Sequence, residues 1–141
     1  NELDYFKGSN LHSQIKFIPN NRASFNSYKI GFSSKLIIAL WSTLSIELFG
    51  AGKRAIFGGL LYTPRKDIYT KLFENMPSDV LLYEQDEDHI RKKIDSLLKM
   101  TDEQYLEKTA FARNYYMRCE RPYPHEMIKK RIADHLNIPA E

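Results

Sequence analysis

The chain has 141 residues, which is the length of about one domain. Apolar residues make up 43% of the sequence and the formal net charge is only +3, a balance that favours a packed core and excludes a disordered chain. A membrane-spanning helix needs about 20 apolar residues in succession, and the apolar run 36–41 is far shorter. The single cysteine, Cys119, excludes an internal disulfide and a multi-cysteine metal site.

Four short apolar segments predict β-strands, which lie in chain order near residues 15–18, 36–40, 54–57 and 79–83. The segment 36–40 lacks an alternation of apolar and polar residues, which is typical of a strand covered on both faces in a parallel sheet. Helical patterns separate these segments, over about residues 24–34, 44–49 and 65–76. The alternation of strands and helices predicts an α/β fold with a parallel sheet flanked by helices.

The C-terminal third has helical patterns without an intervening strand. Residues 86–99 have apolar side chains at helical spacing. Thr101 and Gln104 match a capping box, which predicts a helix that begins there and continues to about Arg118. A last helix, over residues 125–136, has Ile128, Ile132 and Leu136 on one face. We expect the two helices after residue 101 to form a cap or a crossing arm.

Positive charge is concentrated near the C-terminus. Residues 108–131 contain seven basic and two acidic side chains, whereas residues 1–107 contain 14 of each. A basic segment can contact nucleic acid, acidic lipid or phosphate, but a solvated helical face is the interpretation we favour. We expect no nucleic-acid binding, because no stacking motif accompanies these charges.

The residues between the second and third predicted strands indicate an anion site. Ser42 and Thr43 lie where a helix begins, beside unpaired backbone N–H groups and the positive end of the helix dipole. Such a helix start binds phosphate or diphosphate. Glu47 is four residues beyond Thr43 and shares its helix face, so its carboxylate could accept hydrogen bonds from ribose hydroxyls. A plain helix cap with an exposed glutamate explains the same spacing.

Several common motifs are absent from the sequence. Gly50-Ala51-Gly52-Lys53 does not complete a Walker A motif, and it follows a predicted helix, which is the wrong position for a dinucleotide fingerprint. There is no Gly-x-Ser-x-Gly sequence. The four histidines show no metal-ligand spacing, and we expect neither a metal ion nor a cofactor.

The segment 37–57 resembles the C-terminal, nucleotide-sugar-binding domain of GT-B-fold glycosyltransferases, above all those that build bacterial surface polysaccharides. The residues that match the family pattern in order are Ser42, Thr43, Leu44, Glu47, Gly52 and Lys53. The resemblance implies that the Ser-Thr pair faces the donor diphosphate and that Glu47 binds the ribose of the nucleotide. It also implies a Rossmann-like sheet of about four to six strands.

Two loops depart from the family pattern. The first predicted strand is followed by Pro19-Asn20-Asn21-Arg22, without the histidine that many relatives have, and Arg22 is the residue that could replace the basic phosphate contact. Trp41 stands where a small residue is usual, and it either stacks on the base or packs. The donor-binding residues that we predict are therefore Arg22, Trp41, Ser42, Thr43, Glu47, Gly58 and Gly59.

The resemblance further implies that residues 1–141 form a single Rossmann-like domain, with terminal helices over 101–141, and that this domain is the C-terminal half of a two-domain enzyme. The chain starts at Asn1, so we expect a fragment or a processed form. Acceptor contacts and the catalytic base would lie in the missing N-terminal domain, which leaves the catalytic residues unknown and the isolated domain inactive.

The expected reaction moves a sugar from a nucleotide diphosphate to a glycan or lipid-linked acceptor. We expect it in the cytoplasm, at the inner face of the membrane, with peripheral membrane contact. Two other functions remain open. One is a half-domain of a nucleotide-sugar epimerase, and the other is a flavodoxin-like binding module without catalysis.

Overall fold

A computed structural model describes residues 16, 18, 26–40, 42–58, 71–83, 86–118 and 121–137. Within these ranges the chain has a mixed α/β fold that is mostly helical. Its elements in chain order are α1 (Asn26–Ser33), β1 (Ile37–Ala39), α2 (Thr43–Gly50), β2 (Ala55–Phe57), a 3₁₀ turn (Ser78–Val80), α3 (Glu87–Lys99), α4 (Asp102–Tyr116) and α5 (Pro124–Leu136). None of these described helices is long and apolar enough to cross a bilayer.

The unit β1–α2–β2 confirms the prediction of parallel strands at 36–40 and 54–57. Ile37 pairs with Ala55 and Ala39 with Phe57, in parallel register. The turn that ends α2 depends on Gly52, whose φ of 88° is open to glycine but strained for other residues. Its amide donates to the Phe49 carbonyl at 2.9 Å, which directs the chain back into β2.

The predicted strand at 79–83 is wrong. Ser78–Val80 form a 3₁₀ turn instead, and Leu81 makes only an isolated parallel bridge with Phe57. The turn is closed by its own backbone, because the Val80 amide donates to the Pro77 carbonyl at 3.1 Å and the Leu81 amide donates to the Ser78 carbonyl at 3.3 Å. The Leu82 amide donates to the Phe57 carbonyl at 3.0 Å, so pairing with β2 is limited to this bridge. Lys93 on α3 also donates to the carbonyls of Ser78 and Leu81, at 2.7 and 2.5 Å.

The other predicted elements of the N-terminal half lie largely outside the described residues. In the segment 15–18 only Lys16 and Ile18 are described, and neither is in a strand. In the segment 65–76 only Lys71 and Leu72 are described as helical, and a turn follows them. The described ranges hold a sheet of two strands, β1 and β2, so a sheet of four to six strands stays a prediction.

The core lies between β2 and the helices around it. Phe57 on β2 contacts Phe49 edge-on and Phe73 at a tilt, with ring centroids 5.6 Å apart in both pairs. Leu97 on α3 and Tyr105 on α4 are both buried in the same cluster. Burial of these large apolar groups is the main source of stability for the fold.

Side-chain caps are present at the starts of both α3 and α4, and the cap of α4 was predicted. Asp86 accepts the amides of Asp88 and His89 at 2.8 and 3.3 Å, which caps α3. Thr101 and Gln104 form the predicted capping box of α4, each side chain accepting the backbone amide of the other residue. The last helix also agrees with the prediction, beginning at Pro124 and ending at Leu136.

Candidate functional site

The carboxyl ends of β1 and β2 meet at one edge of the sheet, since the strands are parallel. Ser42 and α2 follow β1 at this edge, and Gly58 follows β2. Ligands of open parallel sheets bind in the crevice at this carboxyl edge, where the loops and helix N-termini converge. The structure therefore brings three of the predicted donor-binding residues, Ser42, Thr43 and Gly58, to the edge at which a ligand is expected.

Ser42 is the residue that precedes α2, and Thr43 is the first helical residue. The Ser42 hydroxyl makes no capping hydrogen bond. Its carbonyl instead accepts the Ser45 hydroxyl at 2.6 Å and the Ser45 amide at 3.1 Å. The start of α2 thus has no side-chain cap. No capping oxygen competes with an anion for the first backbone amides of the helix.

Glu47 lies one turn beyond Thr43 and accepts a hydrogen bond from the hydroxyl of Tyr28 on α1. This hydrogen bond, together with desolvation and the negative charge of Glu47, raises the pKa of Tyr28. A carboxylate has about four lone-pair positions, so Glu47 can still accept from ribose hydroxyls. Glu47 therefore also links α1 to α2, a role that the spacing of Thr43 and Glu47 did not predict.

Tyr28 is the partner that the sequence analysis missed. The side chain of Tyr28 is partly exposed to solvent. The signal in the sequence that could have indicated this contact is the hydroxyl of Tyr28, because a hydroxyl needs a polar partner and a purely apolar side chain does not. A tyrosine on an amphipathic helix often pairs its hydroxyl with a polar group of the neighbouring element.

Gly58 is buried and its amide donates to the Ala39 carbonyl at 2.7 Å. This amide belongs to the pairing of β1 with β2 and is not available to a phosphate. Gly58 can therefore allow close approach of a ligand, but it offers no hydrogen-bond donor to it. The backbone amides that can donate to a ligand at this edge belong to the start of α2.

A groove of about 410 Å³ lies between α1 and the β1–α2 unit, next to Ser42. Its walls include Ile38 and Leu44, together with the hydroxyl-bearing Ser27 and Ser45. The groove is narrow where the helices meet, because a Cβ added at Gly31 would lie 2.3 Å from Leu48 Cδ1. A largely apolar groove beside a helix start suits a ligand with a flat ring and a charged tail.

Lys53, which the resemblance matched to the family pattern, lies at the other edge of the sheet. It precedes β2, and the neighbouring Arg54 carbonyl accepts the Ile37 amide at 2.9 Å, at the amino end of β1. Lys53 therefore lies at the opposite end of the strands from Ser42, where it would not contact a diphosphate bound at the start of α2. Arg54 is engaged structurally, donating to Met100 and pairing with Asp102 at 2.8 Å.

The predicted site residues Arg22, Trp41 and Gly59 lie outside the described residues. Their contribution to the donor site stays a prediction.

Among the described residues, no group of three or more His, Cys, Asp or Glu side chains could hold a metal ion. Two carboxylates spaced as Asp-x-Asp, a pattern that can hold a metal ion, are present in the sequence at Asp86 and Asp88. The Asp86 carboxylate is engaged at the start of α3, where it accepts two backbone amides.

Comparison with protein-family models, with curated proteins and with solved structures finds no match to this chain. The site at the start of α2 and the resemblance of residues 37–57 are therefore the features that indicate a function.

Proposed function

We propose that the chain is the donor-binding domain of a glycosyltransferase of the GT-B type, which transfers a sugar from a nucleotide diphosphate to a glycan or lipid-linked acceptor. The observation that carries the proposal is the parallel unit β1–α2–β2, in which an uncapped helix start follows β1. That unit coincides with the segment whose sequence resembles the family. A second, N-terminal domain would supply the acceptor contacts and the catalytic base.

The chemical role of the helix start is to stabilise charge. When the sugar leaves the donor, negative charge grows on the diphosphate. Backbone amides at the start of α2 are fixed donors at the positive end of the helix dipole, so they can stabilise this charge without reorganisation. The hydroxyls of Ser42 and Thr43 would add hydrogen bonds to the same oxygens, and Glu47 would hold the ribose.

Titration of the labelled chain with UDP, GDP, ADP and CDP tests this proposal. We expect the amide signals of Ser42, Thr43 and Leu44 to shift and to saturate with at least one nucleotide. The start of α4 is a control within the same molecule, since its amides are capped by Thr101 and Gln104. Shifts of equal size at both helix starts, or none at Ser42–Leu44, would reject the donor site.

A charge placed at the first position of α2 gives a second test. Thr43→Glu adds an acidic residue where the helix dipole favours it, so the helix should remain folded. The same carboxylate repels a diphosphate, and we expect the affinity for the nucleotide to fall at least about tenfold. Thr43→Gln is the matched neutral control and should change affinity much less. Equal affinities of the two variants would contradict the proposal.

A further inference from the structure

A second pocket lies at the amino edge of the sheet, where β1 and β2 begin. Its volume is about 390 Å³. The residues that enclose it belong to three segments, which are the stretch 33–35 after α1, the turn 51–54 between α2 and β2, and the start of α4 at Asp102 and Leu106. This amino-edge pocket shares only Ser34 with the groove beside Ser42. It is therefore separate from the candidate donor site, which lies at the carboxyl edge.

Two lysines line the amino-edge pocket at equivalent positions of neighbouring strands. The first strand pair is Ile37 with Ala55, and Lys35 and Lys53 each stand two positions before it. Neighbouring strands are about 4.8 Å apart, and like charges at opposite positions repel each other. Neither ammonium group has a hydrogen bond or an ion pair with the rest of the described chain. The pair therefore leaves two positive charges close together without a counter-charge.

Arg54 also lines this pocket, but its guanidinium group is held by the fold. It donates to the Met100 carbonyl at 2.7 Å and pairs with the Asp102 carboxylate at 2.8 Å. Its buried Nε has no hydrogen-bond partner in the described ranges. Asp102 is the one carboxylate among the lining residues, and Arg54 engages it. The acidic group of the pocket is therefore not available to neutralise the lysines.

Arg113 brings a further positive charge to this pocket from α4. A Cβ built on Gly52 would lie 4.0 Å from Arg113 Nη1, and Gly52 lines the pocket. Burial raises the pKa of Tyr105 to about 12, and the positive charges of Arg113 and Arg54 oppose this rise, so both arginines lie near the same phenol. Nη1 of Arg113 makes no hydrogen bond to the described residues, so its donors are available.

We propose that the amino-edge pocket binds the phosphate group of a small molecule, with Lys35 and Lys53 contacting its oxygens and Arg113 Nη1 as a further donor beside Gly52. A phosphate dianion accepts hydrogen bonds on several oxygens, so it can bridge cations that come from different segments. Its negative charge relieves the repulsion between the two lysines. The volume of the pocket exceeds that of a phosphate ion, which leaves room for an organic group next to it.

The arrangement of the cations favours a small molecule over a nucleic acid. A nucleic-acid backbone is contacted by many basic side chains that follow it along a surface. Here the basic residues come from the ends of two strands and from α4, and they converge on one concave pocket. Concave sites with a few convergent polar groups are typical of small ligands.

Titration of the labelled chain with inorganic phosphate and, separately, with methyl phosphate tests the proposal. Sodium chloride keeps the ionic strength constant, because salt alone screens surface charges. We expect the amide signals of Lys35, Gly52 and Lys53 to shift and to reach half-saturation at about 1 mM or below. Saturation by both compounds supports a phosphate ester as the ligand, and saturation by inorganic phosphate alone supports the free ion.

The double variant Lys35→Gln with Lys53→Gln removes the two proposed contacts, and we expect it to lower the affinity for phosphate at least about tenfold. The matched control is Lys71→Gln with Lys130→Gln. These two lysines are exposed and do not line the pocket, so this variant removes the same net charge and should change the affinity less than about twofold. Urea unfolding without phosphate verifies the fold, and the pocket variant should be at least as stable as the unaltered chain because it loses the repulsion between like charges.

Three results would overturn the proposal. The first is the absence of saturable shifts at Lys35, Gly52 and Lys53 with either compound, and the second is an equal loss of affinity in the two double variants. The third is an oligonucleotide that binds and is lost in the pocket variant, while phosphate itself does not bind.

The proposal does not depend on the donor site, because the two sites lie at opposite edges of the sheet. Thr43→Glu, which should weaken nucleotide binding at the start of α2, should leave the phosphate shifts at Lys35 and Lys53 unchanged. Failure at one edge is therefore distinguishable from failure at the other.

Discussion

The hydroxyl of Tyr105 accepts a hydrogen bond of 3.2 Å from the amide of Ala55, although the two residues are 50 positions apart in the chain. The same hydroxyl donates to the Lys53 carbonyl at 3.1 Å. One side chain on α4 thus satisfies a backbone donor and a backbone acceptor at the start of β2. Tyr105 is 1% exposed, so water has no access to this arrangement.

Tyr105→Phe removes both hydrogen bonds and keeps the ring in the core. The buried Ala55 amide and the partly buried Lys53 carbonyl then lose this partner, and we expect the free energy of unfolding to fall by roughly 1–3 kcal/mol. Urea unfolding followed by circular dichroism measures the change. Tyr115→Phe, at an exposed position of the same helix, is the control and should stay within about 0.5 kcal/mol. Equal stabilities of the two variants would contradict the assigned role of the hydroxyl.

The Tyr105 phenol also makes stability depend on pH. Burial raises its pKa to about 12, against the opposing effects of the Ala55 hydrogen bond and the nearby arginines. Between pH 10 and 12 the unfolded chain loses this proton and the folded chain keeps it, so stability falls as pH rises, by roughly 1.4 kcal/mol per pH unit from this group. Urea unfolding at pH 9, 10 and 11 should show a steeper loss for the unaltered chain than for Tyr105→Phe. Parallel curves would exclude Tyr105 as the source.

Gly50→Ala tests the contact between α2 and the end of α4. A Cβ at Gly50 would lie 2.3 Å from Met117 Cβ, and that atom is held close to the backbone. We expect a loss of stability of roughly 1–3 kcal/mol. Gly31→Ala is the comparison, because its Cβ would meet the terminal methyl groups of Leu48, which can rotate away more easily. The loss should therefore be smaller at Gly31, and a larger loss there would contradict this explanation.

The starts of α4 and α2 differ in their capping, so we expect the same kind of substitution to cost different amounts of stability at the two positions. Thr101 accepts the Gln104 amide at 3.2 Å, so Thr101→Ala should cost about 1 kcal/mol of stability. Ser42 occupies the corresponding position of α2 without a capping bond, so Ser42→Ala should cost only a few tenths. Thermal unfolding of both variants measures the difference. A cost of about 1 kcal/mol at Ser42 would indicate that its hydroxyl does cap α2.

Glu47→Ala separates the two roles of this residue. If Glu47 binds ribose, the variant should weaken binding of the best nucleotide by about tenfold to a hundredfold, since hydrogen bonds to a charged group contribute roughly 1.5–3 kcal/mol. Tyr28→Phe removes the hydroxyl that links α1 to Glu47 on α2, and it should leave binding within about twofold. Nucleotide titration by calorimetry measures both. Equal losses in the two variants would mean that Glu47 acts by holding α1.

The sequence predicted the elements whose structure depends mainly on residues that are neighbours in the chain. The strand at 36–40, the helix after it and the capping box at Thr101 depend on neighbouring residues, and each was found. The prediction of a strand at 79–83 was wrong, because backbone pairing with β2 is limited to the bridge between Phe57 and Leu81, and an apolar pattern does not show how far a segment pairs with a distant strand. The residues of the candidate site show the same difference between short-range and long-range contacts. Ser42 and Thr43 were placed by their own helix start, whereas the bond between Tyr28 and Glu47 depends on how two helices pack.

The described part of the core is supplied almost entirely by residues between Leu48 and Ala112, and α5 adds only Ala133. Substitutions at exposed positions of α5 should therefore change the free energy of unfolding little. Because α5 contributes so little to the core, its exposed residues can change while the rest of the fold is retained. The same freedom recommends α5 as the place to attach a label or an affinity tag without disturbing the β1–α2–β2 unit.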